Sequence, residues 1–288
     1  MRTLGRLARF THVMFKPQIY VTYALLWVLA LEGSTALLAD RSWQPGTGTA
    51  VRVTSVLLAL LYLRVVDEQK DLEYDREHHP DRPLVRGEIS VPELRIAMAG
   101  IVVALTGLNL SRSAAALTIL LADLAYAVLL MALERRSGAI REGLFLNLAV
   151  TYPVQLLLSV YVYVSAGGAI GIRAVPLLMV FVCVFLHFEF ARKTSWQAAP
   201  GERLYSGSLG PLPSARLAAG CALAAIGLSL ALFHGHPALL PLVAATLAFP
   251  AVGWWRFRRR SVTGWPVPLA TGFVVATYLT LTVQAGAS

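Results

Sequence analysis

Charged residues are scarce in this chain, and cysteine is rarer still. Only 14% of the 288 residues are charged and two are cysteines, whereas 57% are hydrophobic and the mean hydropathy is +0.63. So little charge excludes an ordinary soluble domain. Cys183 and Cys221 both lie in apolar runs, where cysteine usually packs as a small hydrophobic residue, so we expect no disulfide framework. The composition predicts an integral membrane protein.

Several common ligand-binding motifs are also missing. The sequence has no P-loop, no G-x-G-x-x-G after a strand, and no paired Cys or His at zinc spacing. The connections between its apolar segments are short, so a second, soluble domain does not fit. We therefore expect one transmembrane domain over residues 1–288.

What the chain has in abundance is apolar runs that are long enough to cross a bilayer. A hydrocarbon core of roughly 30 Å requires about 20 such residues in a helix. Nine segments qualify, near 17–38, 49–70, 92–111, 113–133, 142–166, 173–193, 213–233, 237–255 and 264–285. The predicted fold class is all-α, a polytopic bundle of nine transmembrane helices.

Basic residues fall almost entirely on one side of these spans. Of the 25 Lys and Arg residues, 21 lie at the N-terminus and in the loops on that side, and the other side holds only Arg41, Arg52, Arg112 and Arg173. Because cytoplasmic loops carry an excess of Lys and Arg, this count predicts a cytoplasmic N-terminus. Membrane topology and attraction to anionic lipid therefore explain the excess of basic residues, and nucleic-acid binding is not needed to explain it. We expect the plasma membrane of a bacterium.

Three carboxylates recur at four-residue intervals where the second span ends. Asp67, Asp71 and Asp75 would form one slowly drifting stripe on a helix, and like charges at this spacing repel each other. A divalent cation would remove the repulsion, and Mg²⁺ takes oxygen ligands together with water and substrate phosphates. The stripe therefore favours a site for magnesium and diphosphate. The alternative is a solvated helix end on which nearby bases pair with the acids: Arg64, Lys70 and Arg76.

The loop after this stripe carries two further features at fixed positions. Arg82-Pro83 stands seven residues after the last aspartate, and Gly87 precedes the next span. The segment 67–90 resembles the first signature of the UbiA superfamily of intramembrane prenyltransferases, N-x-x-x-D-x-x-x-D followed by R-P and Gly. Asp67 stands where the family usually has Asn, which keeps an oxygen ligand but adds a charge. The family's nine-helix bundle agrees with the span count.

The resemblance directs attention to two other loops on the cytoplasmic side. After span four the family carries a basic pair that helps to hold diphosphate, and Arg135 and Arg136 stand there. Bases at that place can also act only as determinants of topology. After span six the family carries a second acidic signature, to which Glu189 is the best match and Glu202 a weaker one. The alternative for Glu189 is a local ion pair with Arg192.

The resemblance implies Mg²⁺-dependent ionisation of an isoprenoid diphosphate, with the active site toward the cytoplasm. The metal would act as a Lewis acid on the leaving group, and the carboxylates would stabilise the allylic carbocation. The expected metal ligands are Asp67, Asp71, Asp75 and Glu189. The expected substrate contacts are Arg64, Lys70, Arg82, Arg135, Arg136, Asn147, Arg192, Lys193 and Tyr205.

The sequence leaves open what attacks the carbocation. In the commoner branch of the family it is an aromatic or lipid acceptor, and in a less common branch, the terpene cyclases, it is a double bond of the same chain. Asp123, in span four, is the remaining catalytic candidate, because it could deprotonate an acceptor or a cyclised cation. In the plainer alternative it hydrogen-bonds a neighbouring helix. A transporter would usually show internal repeats, and the sequence shows no convincing repeat.

Overall fold

The computed structural model of the protein describes residues 3–197, 203–233 and 239–287. Within these ranges the chain forms thirteen helices and no strand beyond an isolated bridge between Ser195 and Gly264. The helices are α1 (Thr3–Phe15), α2 (Pro17–Leu38), α3 (Thr47–Lys70), α4 (Leu72–His78), α5 (Val91–Asn109), α6 (Ala114–Arg136), α7 (Gly138–Glu142), α8 (Leu144–Ser165), α9 (Ala174–Arg192), α10 (Tyr205–Leu209), α11 (Pro211–Phe233), α12 (Leu239–Arg258) and α13 (Val267–Gly286).

Nine of the described helices correspond in order to the nine predicted spans. Their ends lie within three residues of the predicted ones, because the apolar runs themselves fix where each helix can lie in a bilayer. Eight of them are long and apolar enough to cross a membrane, and α12 is the one outside that set. The prediction of an all-α polytopic membrane protein is confirmed. The number of crossings and the side of the N-terminus stay predictions.

The chain divides into two compact units. The first comprises Met1–Val28 and Pro45–Ser165, and the second comprises Leu29–Gln44 and Ala166–Ser288. Helix α2 contributes its first part to one unit and its second part to the other. The expectation of one domain over residues 1–288 stays a prediction.

The core of the first unit is formed where α3 packs against α5 and α6, and α6 against α8. A polar network fastens α3, α5 and α8 together within this apolar core. Asn109 donates to the Ser55 hydroxyl over 2.9 Å, and the Tyr161 hydroxyl donates to the Asn109 side-chain oxygen over 2.8 Å. Such bonds between helices contribute modestly to packing in membranes, and here they hold the helices that carry the candidate site.

The second unit is built on α9, which packs against α11 and α13. The His187 ring is fully buried, bonds the Ala218 carbonyl through Nδ1 over 2.8 Å, and lies edge-on to Phe273. At the end of α9 the chain turns into the bridge with Gly264, and the Trp196 indole donates to the Phe257 carbonyl over 2.9 Å. These contacts fix the helix end that carries Glu189.

Candidate functional site

The acidic stripe begins in α3 but crosses a bend. Helix α3 ends at Lys70 and α4 begins at Leu72, with Asp71 between them at φ −90° and ψ 6°. The continuous helix expected from the sequence is therefore wrong in this detail. The amides of Asp71 and Asp75 still donate to carbonyls four residues back, over 2.9 and 2.8 Å, so the spacing of the acids is kept.

The bend is supported from another helix. Near the end of α3, the Gln69 carbonyl accepts a hydrogen bond from the Arg135 guanidinium over 3.1 Å. The last carbonyls of a helix lack intrahelical donors and need such partners. Arg135, a predicted diphosphate contact, is thereby placed beside the stripe, while Arg136 is exposed at the end of α6.

Asp75 lies in a buried cluster of ions rather than on an open acidic face. Its side chain is 2% exposed and is paired with Arg82, which also lies 3.3 Å from a Glu68 oxygen. Glu68 is 1% exposed and is paired with Arg64 as well. Two predicted substrate contacts, Arg64 and Arg82, therefore hold buried carboxylates here. The role of Asp75 as a metal ligand stays a prediction.

The loop between α4 and α5 returns Arg82 to this cluster. The Arg82 amide donates to the His79 carbonyl over 3.1 Å, and Gly87 adopts a φ of +70°, a left-handed conformation that favours glycine. The loop ends in a capping box, in which the Ser90 amide donates to Glu93 over 3.0 Å and the Ser90 hydroxyl accepts from the Glu93 amide. The segment of the motif from Arg82-Pro83 to Gly87 thus forms a turn.

Asp67 faces a cavity of about 150 Å³ in the first unit. Its side chain is 51% exposed and lies 3.5 Å from the Lys70 ammonium, which is also 3.2 Å from Glu134. Glu134 is 5% exposed and accepts a hydrogen bond from Asn147 over 3.1 Å. The cavity is lined by Leu63, Val66, Asp67, Lys70, Ala127, Leu130, Met131, Glu134, Thr151 and Val154. It is polar at one end and apolar along its walls.

Asp71, at the break between α3 and α4, is half-buried. Burial raises the pKa of its carboxyl, the Lys70 ammonium lowers it, and the neighbouring carboxylates of Asp67, Asp75 and Glu134 raise it again. The pKa is raised chiefly because the carboxyl is removed from water, and the neighbouring acids add to this effect.

The carboxylates of the stripe are donors of the kind that a hard cation takes. In the described part of the chain, no three His, Cys, Asp or Glu side chains are gathered closely enough to hold a metal ion by themselves. Mg²⁺ commonly takes only one or two carboxylates and completes its shell with water and substrate phosphates. Asp67 and Asp71, neither of which forms an ion pair with an arginine among the described residues, would supply two such carboxylates.

Glu189, in the second unit, is paired with the bases that follow it. Its carboxylate lies 2.7 Å from Arg192 Nε and 2.7 Å from the Lys193 ammonium, and the Tyr205 hydroxyl donates to it over 3.4 Å. Burial and the neighbouring carboxylate raise the pKa of Tyr205, so this phenol is a neutral donor. The predicted residues are therefore brought together, but as an ion-paired cluster. Glu202 lies outside the described residues.

Asp123 is fully buried in α6, and among the described residues neither of its carboxylate oxygens has a hydrogen-bond partner. The Tyr126 hydroxyl instead donates to the Val150 carbonyl over 2.7 Å. Ala127, which lines the cavity, is one turn further along α6. Among the described residues, Asp123 makes no hydrogen bond to a neighbouring helix, which was the plainer interpretation of this residue.

Three solved structures resemble the chain over nearly its whole length. A digeranylgeranylglyceryl phosphate synthase has a TM-score of 0.65 and 16% identity, with full coverage of both chains. A UbiA homologue from Archaeoglobus fulgidus bound to GPP and Mg²⁺ has a TM-score of 0.61 and 11% identity, and covers 97% of this chain and 99% of its own. A UbiA homologue from Aeropyrum pernix K1, without ligand, has a TM-score of 0.57 and 14% identity over 90% and 96%.

This chain has the UbiA fold. No protein-family model matches the sequence, and no curated protein matches it either. The resemblance seen in the segment 67–90 is therefore confirmed at the level of the fold.

Sequence reasoning missed two acids in this UbiA-fold site, Glu68 and Glu134. Glu68 stands inside the motif, but its partner Arg82 is fourteen residues away in a turn. Glu134 directly precedes the basic pair Arg135-Arg136 and meets Lys70 from 64 residues away. The one available signal was that each acid lies at the end of an otherwise apolar span, where charge is costly unless it has a partner.

Proposed function

We propose that this chain is a magnesium-dependent enzyme that ionises an isoprenoid diphosphate and transfers the prenyl group to an aromatic or lipid acceptor within the membrane. The observation that carries the proposal is the cavity beside Asp67, which combines acids, a lysine and apolar walls. Support comes from the shared fold, since one homologue is described as bound to GPP, an isoprenoid diphosphate, and Mg²⁺. The site would face the cytoplasm of a bacterium.

Asp67 and Asp71 would hold the metal ion, whereas the other two ligands predicted from the sequence, Asp75 and Glu189, are engaged in ion pairs. Bound Mg²⁺ would supply Lewis-acid activation of the diphosphate leaving group. Lys70 and Arg135, which lie at the end of α3, would bind phosphate oxygens, and the exposed Arg136 would be a further contact. These side chains would orient the diphosphate at the polar end of the cavity.

The apolar wall of the cavity would hold the isoprenoid chain. It is formed by side chains from three helices: Leu63 and Val66 from α3, Ala127, Leu130 and Met131 from α6, and Val154 from α8. An apolar wall limits the access of water, which would otherwise quench an allylic carbocation. Asp123, one turn from Ala127 of the wall, would take a proton either from an acceptor or from a cyclised product.

The assay for this proposal is release of pyrophosphate by the purified protein. We expect release with an isoprenoid diphosphate, loss of release in EDTA, and recovery with Mg²⁺. A chain that transports rather than reacts would release none. Mass spectra of the same samples distinguish a prenylated acceptor from a cyclised hydrocarbon, so the terpene-cyclase alternative is decided in the same tube.

Asp123→Val should stabilise the folded protein and impair the reaction. The substitution removes a buried carboxyl that has no hydrogen-bond partner among the described residues, which should raise the free energy of unfolding by about 1–3 kcal/mol. Activity should fall, because polar groups at membrane depth are usually retained for function. Thermal unfolding and pyrophosphate release, measured on the same sample, check both effects.

Asn109→Val is the matched control for that prediction. Asn109 is also a buried polar residue, but it is bonded to Ser55 and Tyr161, so its removal should destabilise the protein. An Asp123→Val protein that melts earlier than the wild type would mean that the carboxyl is stabilising and has a structural role.

The cluster around Glu189 gives a separate prediction. If it helps to bind diphosphate, Arg192→Met should raise the KM by about tenfold and change kcat little, because a lost phosphate contact weakens ground-state and transition-state binding together. Glu189→Gln should instead lower kcat. Arg216→Met, an exposed arginine at the start of α11, is the control. Unchanged kinetics in both variants would remove this cluster from the site.

A further inference from the structure

Several exposed arginines are gathered at the end of α12: Arg256, Arg258, Arg259 and Arg260. Other exposed arginines have acidic partners, since Arg86 and Arg192 each lie close to a glutamate, over 3.2 and 2.5 Å. Among the described residues, none of the arginines at the end of α12 forms an ion pair with a carboxylate. No acid therefore offsets the positive charge at this helix end.

The backbone that carries these arginines forms a defined turn. The Arg260 amide donates to the Phe257 carbonyl over 3.0 Å, and the Ser261 amide donates to the Arg256 carbonyl over 3.3 Å. This is the Schellman arrangement of a helix end, in which the residue with a left-handed backbone is usually glycine. Here that residue is Arg260, with a φ of +53°, a conformation that is costly for any residue with a side chain. The turn itself therefore does not explain an arginine at this position.

Two tryptophan rings hold two of the guanidinium groups. The Arg260 Cζ lies 4.4 Å from the centre of the Trp196 ring, and the Arg259 Cζ lies 4.6 Å from the centre of the Trp255 ring. Trp196 is fixed in turn by Phe257, whose ring stacks on it with 4.9 Å between centres and whose carbonyl accepts from its indole over 2.9 Å. A guanidinium that stacks on a ring keeps the N–H donors in its own plane for another ligand. Arg259 and Arg260 are thus oriented donors without an acidic partner.

An exposed apolar stripe of α12 leads to Arg259. Leu247, Ala251 and Trp255 recur at four-residue intervals and are all exposed, and Val252 beside them is 43% exposed. Arg259 continues the spacing, because its amide still donates to the Trp255 carbonyl over 3.1 Å. Residues at this spacing share one face of a helix. The face therefore passes from aliphatic residues through a tryptophan to a cation, which is the order of acyl chain, interface and phosphate in a phospholipid.

We propose that the end of α12 binds an anionic phospholipid. The phosphate would lie against a basic and aromatic patch, and the acyl chains would lie along the exposed face of α12. The α12 patch is formed by Trp196, Trp255, Arg259 and Arg260. Clusters of basic residues next to a membrane helix attract anionic lipids, and the apolar stripe favours a lipid over free phosphate. The proposal concerns a part of the chain other than the cavity beside Asp67 and does not rest on the proposed function.

Native mass spectrometry of the purified, full-length protein in a neutral detergent measures this binding. Phosphatidylglycerol is added at increasing concentration, and phosphatidylcholine with the same acyl chains is the zwitterionic comparison. We expect phosphatidylglycerol to bind at least about tenfold more tightly, because its net charge is negative. Equal affinities for the two lipids would overturn the proposal.

Substitutions in the α12 patch should weaken the binding. Arg259→Gln combined with Arg260→Gly should lower the affinity for phosphatidylglycerol by at least about tenfold, because two basic contacts are lost. Trp255→Leu keeps an apolar side chain but removes the ring under Arg259, so it should lower the affinity by about threefold. Unchanged affinity in the double variant would overturn the proposal.

The matched control removes two charges elsewhere. Arg95→Gln combined with Arg141→Gln changes two exposed arginines of the first unit and should leave the affinity for phosphatidylglycerol unchanged. An equal fall in this control and in the double variant of the α12 patch would mean that net charge alone attracts the lipid, and would overturn the proposal.

Arg260→Gly alone tests the proposal if the double variant fails to fold. Glycine suits the left-handed backbone at this position, so the thermal unfolding midpoint should not fall, whereas the affinity for phosphatidylglycerol should fall by about fivefold. Inorganic phosphate at the concentration of the lipid should not displace it, because phosphate lacks the acyl chains. Displacement by inorganic phosphate, or unchanged affinity in Arg260→Gly, would overturn the proposal.

Discussion

Asp71→Ala should abolish the release of pyrophosphate while leaving the protein folded. Asp71 is one of the two stripe aspartates that form no ion pair with an arginine among the described residues, and it stands where α3 gives way to α4. Loss of a group that stabilises developing charge typically costs at least about 100-fold in rate. We expect a comparable or larger loss here, measured as initial rate at saturating Mg²⁺.

The fold should survive because the Asp71 carboxylate is not stabilised in the folded state. Its pKa is raised, chiefly by burial, so the charged form is disfavoured on folding at neutral pH and a neutral side chain costs little. Asp81→Ala, in the exposed part of the following loop, is the control for removal of an acid. Half of the wild-type rate in Asp71→Ala, or a wild-type rate that persists in EDTA, would contradict the proposed mechanism.

The helices could be predicted from the sequence because the backbone N–H and C=O groups of each apolar run have to form their hydrogen bonds within that run. A bilayer offers no partners for the backbone, so a run of about 20 apolar residues has to be helical, and its ends follow where charges and turn residues begin. Helix α2, Pro17–Leu38, has the predicted bounds, and α9, Ala174–Arg192, differs from them by one residue at each end.

The partners within the site could not be predicted in the same way. Periodicity correctly put Asp67, Asp71 and Asp75 at helical spacing, but it carries no information about what meets them from other segments. Lys70 meets Glu134 from 64 positions away, and Asp75 is met by Arg82 through a turn. These contacts depend on how helices and loops pack, which a local stretch of sequence does not encode.

The bend at Asp71 was missed for a related reason. Sharp changes of direction are usually signalled by Pro, or by Gly and Ser, and none of these stands near Asp71. The feature that accompanies the break comes from another helix, since Arg135 of α6 donates to the Gln69 carbonyl at the end of α3. Neither residue looks unusual in its own stretch of sequence.

Arg82→Met should strongly destabilise the folded protein. Arg82 is the partner of Asp75 and one partner of Glu68, two carboxylates that are 2% and 1% exposed. Removal of one side of a buried ion pair leaves a charge without compensation, which costs about 3 kcal/mol or more. We expect a clear fall in the thermal unfolding midpoint in detergent, whereas Arg86→Met, an exposed arginine of the same loop paired with Glu88, should change it little.

A double variant shows whether the loss of stability arises from buried carboxylates that have lost their partner Arg82. Asp75→Asn removes one buried charge, so Arg82→Met combined with Asp75→Asn should be less destabilised than Arg82→Met alone. Equal destabilisation of the two would mean that Arg82 acts mainly through the packing of its side chain in the turn. A recovered midpoint would mean that the motif's arginine holds the acidic helix end in place, and the spacing from Asp75 to Arg82 would then be a requirement of folding as well as of chemistry.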